Sequence, residues 1–172
     1  MPITYSALCV LTTLGINVRE DEGWRRRVSD TLPQLQQADG AFASHLGTRP
    51  EVDVRMTFCA LAICQFFDVW PIDVARARQS LLDCRAWDGG GFGRSSGLEA
   101  QGGTTYCAVA GLAILARHAG NEETPLVEDQ MALLHWCLSR QSGGFQGRPE
   151  KLEDTCYGFW IGATLQVTVM TI

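Results

Sequence analysis

One plan recurs three times along this chain at intervals of 48 to 53 residues, and that recurrence limits the folds open to it. The copies are DGAF…VRMTFCALAIC (39–64), DGGGFG…GGTTYCAVAGLAIL (88–115) and SGGFQG…EDTCYGFWIGATL (142–165). The turn aromatics Phe42, Phe92 and Phe145 are 50 and 53 residues apart, and Thr57, Thr105 and Thr155 are 48 and 50 apart. The opening TYSALCVL (4–11) matches the second half of a further copy, so the chain is expected to begin in mid-repeat. Internal repeats of this kind govern how the rest of the chain is read.

A period of this length with glycine doublets also suits a kelch-type β-propeller, and Trp87-Asp88 imitates a WD dipeptide. The stretches between the turns decide for helix. CALAICQFF, CAVAGLAILARHA and VEDQMALLHWCLSRQ are rich in Ala, Leu, Met and Gln and poor in β-branched residues. The last carries Val127, Met131, Leu134 and Leu138 at helical spacing, and Thr124-Pro125 predicts its N-terminus, with Glu128 and Asp129 in the first turn. Each repeat then reads as a helix, a glycine turn with a loop, and a second helix packed back as a hairpin. The expected fold is all-α, a single domain over 1–172 with repeats near 1–20, 21–70, 71–120 and 121–172.

With 172 residues, 46% hydrophobic and 19% charged, the chain can bury a core. A net charge of −5 and the lack of a dense basic run argue against a nucleic-acid binder; Arg25, Arg26 and Arg27 read as a solvated helix face. The longest apolar stretch, Tyr106 to Ala116, falls short of the roughly 20 residues a membrane span needs. No basic flank precedes an apolar run at the N-terminus, so a soluble cytoplasmic protein is expected. Of seven cysteines, Cys9, Cys59, Cys64, Cys107 and Cys137 lie in Ala/Leu-rich segments and are expected as buried reduced thiols. Cys84 and Cys156 stand in more polar surroundings.

Alignment of the copies on their threonines places an aromatic after the Thr in three of them (Tyr5, Phe58, Tyr106) and Cys156 in the last. The preceding residue is Ile3, Met56 or Thr104, and Asp154 in the last. A carboxylate and a thiol thus stand where other copies carry core or neutral residues, and burying Asp154 unpaired would be costly. Asp and Cys are both zinc ligands, but a catalytic zinc usually takes three protein ligands. On spacing alone, a helix-capping Asp beside a core Cys is the more ordinary outcome. Arg148 and Lys151 precede the same helix, whose N-terminus favours phosphate. The plainer alternative is a solvated loop in which they pair with Glu150 and Glu153.

Taken together, these residues resemble the β subunits of the protein prenyltransferases, α-α barrels of helix hairpins. The family run G-R-x-x-K-x-x-D-x-C-Y-x-F/W-W is reproduced by Gly147, Arg148, Lys151, Asp154, Cys156, Tyr157, Phe159 and Trp160. The likeness continues through EVDVRMTFCA (51–60) and GLEAQGGTTYC (97–107). It implies an α-α toroid, here an incomplete arc, and a partner α subunit. It also implies a prenyl diphosphate, protein substrates with CaaX-type tails, and zinc. Asp154 and Cys156 match two of the three zinc ligands. Arg148, Lys151 and Tyr157 match the diphosphate-binding set and would act catalytically on the leaving diphosphate. Arg55, Cys107 and Trp160 fall on isoprenoid-lining positions. Core packing is the competing account of Cys107 and Trp160, and Arg55 is expected to be a buried, partnered charge on either account.

TYSALCVL, Thr155 and FWIGATL resemble the type I geranylgeranyltransferase branch, whereas GRPEKL is shared with the Rab-specific branch and the farnesyltransferase branch usually has Cys at the place of Pro149. Two departures stand out. The family's third zinc ligand is a downstream His, whereas His45, His118 and His135 all lie upstream of Asp154. A diphosphate-donating His of the family is replaced by Gln101, which keeps an N–H donor without a positive charge. With about half of a closed ring, the 172-residue chain is expected to be a truncated piece, inactive alone. A non-catalytic α-α repeat module is the rival from another class. A terpene cyclase would need a D-x-D-D acid motif, which the chain lacks.

Overall fold

The computed structural model describes residues 1–87, 89–121 and 125–170. Among them are seven α-helices: α1 (Pro2–Thr13), α2 (Glu22–Leu35), α3 (Val54–Phe67), α4 (Val74–Leu82), α5 (Gly102–His118), α6 (Gln130–Leu138) and α7 (Thr155–Val169). The only β-structure among the described residues is a set of isolated bridges. Helices α1, α3, α5 and α7 lie side by side in chain order as one layer, and α2, α4 and α6 pack against them as the other. An all-α fold is the expectation, and it is what forms. No helix of the described residues is long and apolar enough to cross a membrane.

The first N–H groups of a helix have no partner within it. From α2 onward each helix here meets that need with a side chain. Asp21, Asp73 and Asp129 accept from the N–H groups of Trp24, Arg76 and Ala132 at the starts of α2, α4 and α6. In the other layer Asp53 accepts from Arg55, Gln101 from Gly103 and Thr104, and Asp154 from Cys156. A cap of this kind is worth roughly 1 kcal/mol and sets where the helix begins.

Counting from these caps corrects the register of the last repeat. The fifth residues of α3, α5 and α7 are Phe58, Tyr106 and Phe159; the seventh are Ala60, Ala108 and Ile161, and these three seventh-position residues have no exposed surface. Tyr5, Phe58, Tyr106 and Phe159 form one continuous ladder with ring centroids 5.5, 5.7 and 5.2 Å apart. Gly158, not Thr155, therefore stands with Thr57 and Thr105; these two are buried, whereas Thr155 is exposed. Asp154 occupies the place of Asp53 and Gln101, and Cys156 that of Arg55 and Gly103. The contrast with Met56 and Thr104 came from an alignment three residues out of step. Asp154 is an exposed cap, with no burial cost to explain.

Each glycine turn is closed by a single antiparallel bridge to its aromatic: Gln36–Phe42, Arg85–Phe92 and Gln141–Phe145. Phe42 and Phe92 are fully buried there, and the backbone N–H of Phe92 donates to the Thr105 hydroxyl at 2.9 Å. Between the layers lie Leu61, Phe67, Leu81, Leu133 and Ile161, each fully enclosed. Burial of a side chain of this size contributes about 1.5–3 kcal/mol.

Other expectations are amended by the packing. Helix α6 starts at Gln130 on the Asp129 cap and not at Thr124-Pro125; Thr124 lies outside the described residues, and 125–129 are not helical. Leu133, Trp136 and Cys137 form its buried face, while Met131 and Leu138 are exposed. Cys9 is exposed and Cys84 buried, the reverse of the reading from neighbouring composition. Burial pushes the thiols of Cys64, Cys107 and Cys137 up to about 12, so they stay protonated. Arg26 and Arg27 are solvated as expected, but Arg25 donates to the Phe67 carbonyl at 2.6 Å and ties α2 to the end of α3.

Asp53 does more than cap α3. Its carboxylate also accepts guanidinium hydrogen bonds from Arg55 and from Arg94 of the next loop, both at 2.7 Å. Glu51 completes the cluster by accepting from Arg94 at 2.8 Å. Burial of Asp53 opposes its ionisation, yet the bonds from Arg55 and Arg94 prevail and hold its pKa below the ordinary value. A carboxyl lowered in this way adds stability that is complete above its unfolded pKa and lost as pH falls through its folded one. Asp53→Asn keeps a cap but removes the charge. It is expected to lower the urea-derived unfolding free energy at pH 7 by about 2–4 kcal/mol, limited by the half-exposed arginines, with the gap to wild type closing below about pH 4.

Candidate functional site

Helices α5 and α7 are stapled together where both begin. The first N–H of α5, from Gly102, donates to the Gly147 carbonyl at 2.7 Å, just as Val54 of α3 donates to Arg94 at 3.1 Å. The Tyr157 ring, on the first turn of α7, is wedged between those two glycines. A Cβ on Gly147 would collide with the ring and its hydroxyl, and one on Gly102 would lie 3.0 Å from Tyr157 Cδ1. The Tyr157 hydroxyl accepts a hydrogen bond from Gln101 Nε2 at 2.7 Å.

Around this staple opens a cleft of about 740 Å³, lined by Gln101, Gly147, Arg148, Lys151, Asp154 and Tyr157 among others. Five of the residues singled out in the sequence thus meet in one place. Arg148 is ion-paired with Glu99, on the segment leading into α5, and not with Glu150 or Glu153. Glu153 accepts instead from the Gly143 N–H at 3.3 Å. Lys151 is exposed and makes no ion pair among the described residues. Two cations, a hydroxyl and the N-terminal end of α7 converge here, a set of donors suited to an anion with several oxygens.

Asp154 and Cys156 adjoin the cleft with their side chains together. The Cys156 backbone N–H, then its thiol, hold the Asp154 pKa below its ordinary value. Desolvation and the same carboxylate raise that of the thiol. Cys156 is exposed, so the core half of the plain reading fails while the capping half holds. An oxygen and a sulfur donor side by side suit a borderline-soft divalent metal such as zinc. No cluster of three or more His, Cys, Asp or Glu able to hold a metal occurs among the described residues. The histidines are elsewhere: His118 stacks on Trp70, and His45 bonds to Ser44.

Arg55, Cys107 and Trp160 do not join the cleft. Arg55 is half-exposed rather than buried, held by Asp53 and Glu51. Cys107 is buried close enough for the Arg55 charge to act on it. Trp160 lies against Tyr106 and Phe159 with centroids 5.3 and 4.9 Å away. An apolar groove of about 390 Å³ runs beside the ladder, walled by Tyr5, Phe58, Tyr106, Ala110, Ile114 and Val167 among others. These wall residues were not named from the sequence as binding residues, although the aromatic recurring at one position per repeat was the signal for them.

A family model described as the prenyltransferase alpha-alpha toroid domain matches residues 1–170. The chain belongs to that family. It is 41% identical over 172 residues to the geranylgeranyl transferase type-1 subunit beta of Arabidopsis thaliana, covering 95% of this chain and 44% of that protein. The Dictyostelium discoideum protein of the same name is 36% identical over 168 residues, covering 96% and 45%. The protein farnesyltransferase subunit beta of Arabidopsis thaliana is 32% identical over 163 residues, covering 93% and 32%. The solved structure of the Candida albicans protein geranylgeranyltransferase-I complexed with GGPP matches with a TM-score of 0.64 and 25% identity, covering 81% of this chain and 45% of that one. The chain spans less than half the length of these relatives.

In this prenyltransferase-family chain two glycines should respond in opposite senses. Gly147→Ala forces the Tyr157 ring aside and is expected to cost about 1–3 kcal/mol of unfolding free energy. At Gly162, inside α7, an added Cβ meets nothing within 4 Å. Gly162→Ala is expected to stabilise by about 0.5–1 kcal/mol through the lost backbone freedom of glycine, and urea unfolding measures both.

Proposed function

We propose that the chain is part of the β subunit of a type I protein geranylgeranyltransferase. Such an enzyme moves a geranylgeranyl group from its diphosphate to the cysteine of a CaaX-type C-terminal tail. The observation that carries this reading is the cleft between α5 and α7, where Arg148, Lys151 and Tyr157 converge beside the Asp154–Cys156 pair. In the reaction the acceptor sulfur bonds to the first carbon of the prenyl diphosphate, the carbon–oxygen bond breaks, and pyrophosphate leaves with the electron pair. Arg148 and Lys151 neutralise charge growing on the leaving oxygens, and the Tyr157 hydroxyl donates to them.

Glu99 holds the Arg148 guanidinium at the cleft edge, while the Lys151 ammonium, which has no ion pair among the described residues, is the more mobile charge. Asp154 and Cys156 would furnish two ligands to zinc, whose chemistry when bound is to keep the acceptor sulfur deprotonated. The apolar groove beside the aromatic ladder suits an isoprenoid; Arg55, Cys107 and Trp160, assigned to isoprenoid contact by the family resemblance, are not among the residues that line it. A prenyltransferase α subunit is the expected partner, CaaX-type proteins the substrates and the cytoplasm the place of action. The greater likeness to type I geranylgeranyl relatives, 41% against 32% for the farnesyltransferase subunit, favours the longer lipid.

The test is binding of labelled geranylgeranyl diphosphate to the full chain, alone and co-expressed with an α subunit of the family. Farnesyl diphosphate runs in parallel. Lys151→Ala and Arg148→Ala are each expected to weaken binding about tenfold or more, whereas Arg26→Ala on exposed α2 leaves it unchanged. Equal binding by the Lys151 and Arg148 variants and wild type would refute the proposal, and tighter farnesyl binding would reassign the branch.

A further inference from the structure

Tyr157 contributes to the cleft through a proton, and the direction of that proton is set by its neighbour. A phenol has one hydrogen to give and lone pairs to receive, whereas an amide has a donor end and an acceptor end. The Gln101 amide has its ends assigned by α5. Its Oε1 accepts from the N–H groups of Gly103 and Thr104 at 2.8 and 3.2 Å, a role only the oxygen can fill. Nε2 must then face Tyr157, and it does so at 2.7 Å. Because that nitrogen can only donate, the Tyr157 hydroxyl accepts there and its own hydrogen points elsewhere. It makes no other hydrogen bond among the described residues, and the ring is pinned by Gly147 and Gly102.

We infer that Gln101 is a positioning residue that commits the Tyr157 hydroxyl to donate into the cleft, so that Arg148, Lys151 and Tyr157 present donors only to a diphosphate. This rests on the diphosphate reading above and changes the part played by Gln101 within it. Gln101 orients a donor, through an amide that does not titrate, and its importance does not require contact with the ligand. The repeat supports the assignment. Asp53 at the equivalent place in α3 likewise caps its helix and bonds forward to the next repeat, through Arg94. The forward bond is thus part of the architecture, and in the Gln101 copy it ends on a group inside the cleft.

The decisive variant is Gln101→Glu, which is isosteric and retains a capping oxygen for α5, so the fold should persist. Its second oxygen, however, accepts from the Tyr157 hydroxyl and turns that proton away from the cleft. Inorganic pyrophosphate binding is measured by calorimetry for the full chain, Gln101→Glu, Tyr157→Phe and the double variant, with urea unfolding run on each. Tyr157→Phe is expected to weaken binding about tenfold. Gln101→Glu carries both charge repulsion and the lost donor, so it should weaken binding about a hundredfold in wild type but only about tenfold in the Tyr157→Phe background. Equal losses in the two backgrounds would show that the new charge acts directly and would overturn the inference, as would no loss at all in Gln101→Glu. If instead wild type binds no pyrophosphate, the diphosphate reading itself fails and this inference falls with it.

Discussion

The structure depends on one kind of hydrogen bond, made at the same place in each repeat. A side-chain oxygen from Asp53, Gln101 or Asp154 closes the exposed end of a helix in the layer α3, α5, α7. An open helix end leaves donors without partners, and a cap relieves this at one defined residue, so it also fixes the rotation of the helix that follows. Once the start is set, every fifth-position ring meets the ring of the neighbouring helix, and every seventh-position side chain points into the core. The aromatic ladder and the buried Ala60, Ala108 and Ile161 are consequences of that choice of origin.

The first two of these caps also reach forward. Asp53 bonds to Arg94 and Gln101 to Tyr157, so successive repeats are joined by the groups that start their helices. At α7 the cap is Asp154, and what lies beside its carboxylate is the thiol of Cys156. The chemistry of the site is therefore a variation on a structural theme. The capping position of the earlier copies holds, in the last, an exposed carboxylate next to a thiol. The cations of the preceding loop come along because the loop itself is stapled to α5 through the Gly147 carbonyl.

Much of the fold was legible because repeated composition and helix-forming residues leave few alternatives for units of this size. The run from Gly147 to Trp160 also marked the residues that share the cleft, since a loop followed by a helix start keeps such neighbours close in space. What misled was register. Thr105 and Thr155 lie 50 residues apart while Phe92 and Phe145 lie 53 apart, and the caps Gln101 and Asp154 also lie 53 apart. The aromatic interval carried the correct alignment, and the threonine match was a coincidence of residue type. Burial of individual cysteines was poorly legible for a related reason: Cys9 and Cys84 differ in the face of the helix system they occupy, and neighbouring composition does not report a face.

The sequence by itself determined that the chain is helical, repetitive and acidic, and that Arg148, Lys151, Asp154 and Cys156 cluster before and within one helix. These are local properties, set by propensity, spacing and covalent proximity. Only the tertiary structure decided that Arg148 answers to Glu99 and that Gln101 orients Tyr157. The same holds for Asp154 as a counterpart of Asp53, and for the separation of Arg55, Cys107 and Trp160 from the cleft. Each of these joins residues tens of positions apart or depends on the rotation of a helix about its axis, and both are settled by packing against a neighbouring repeat.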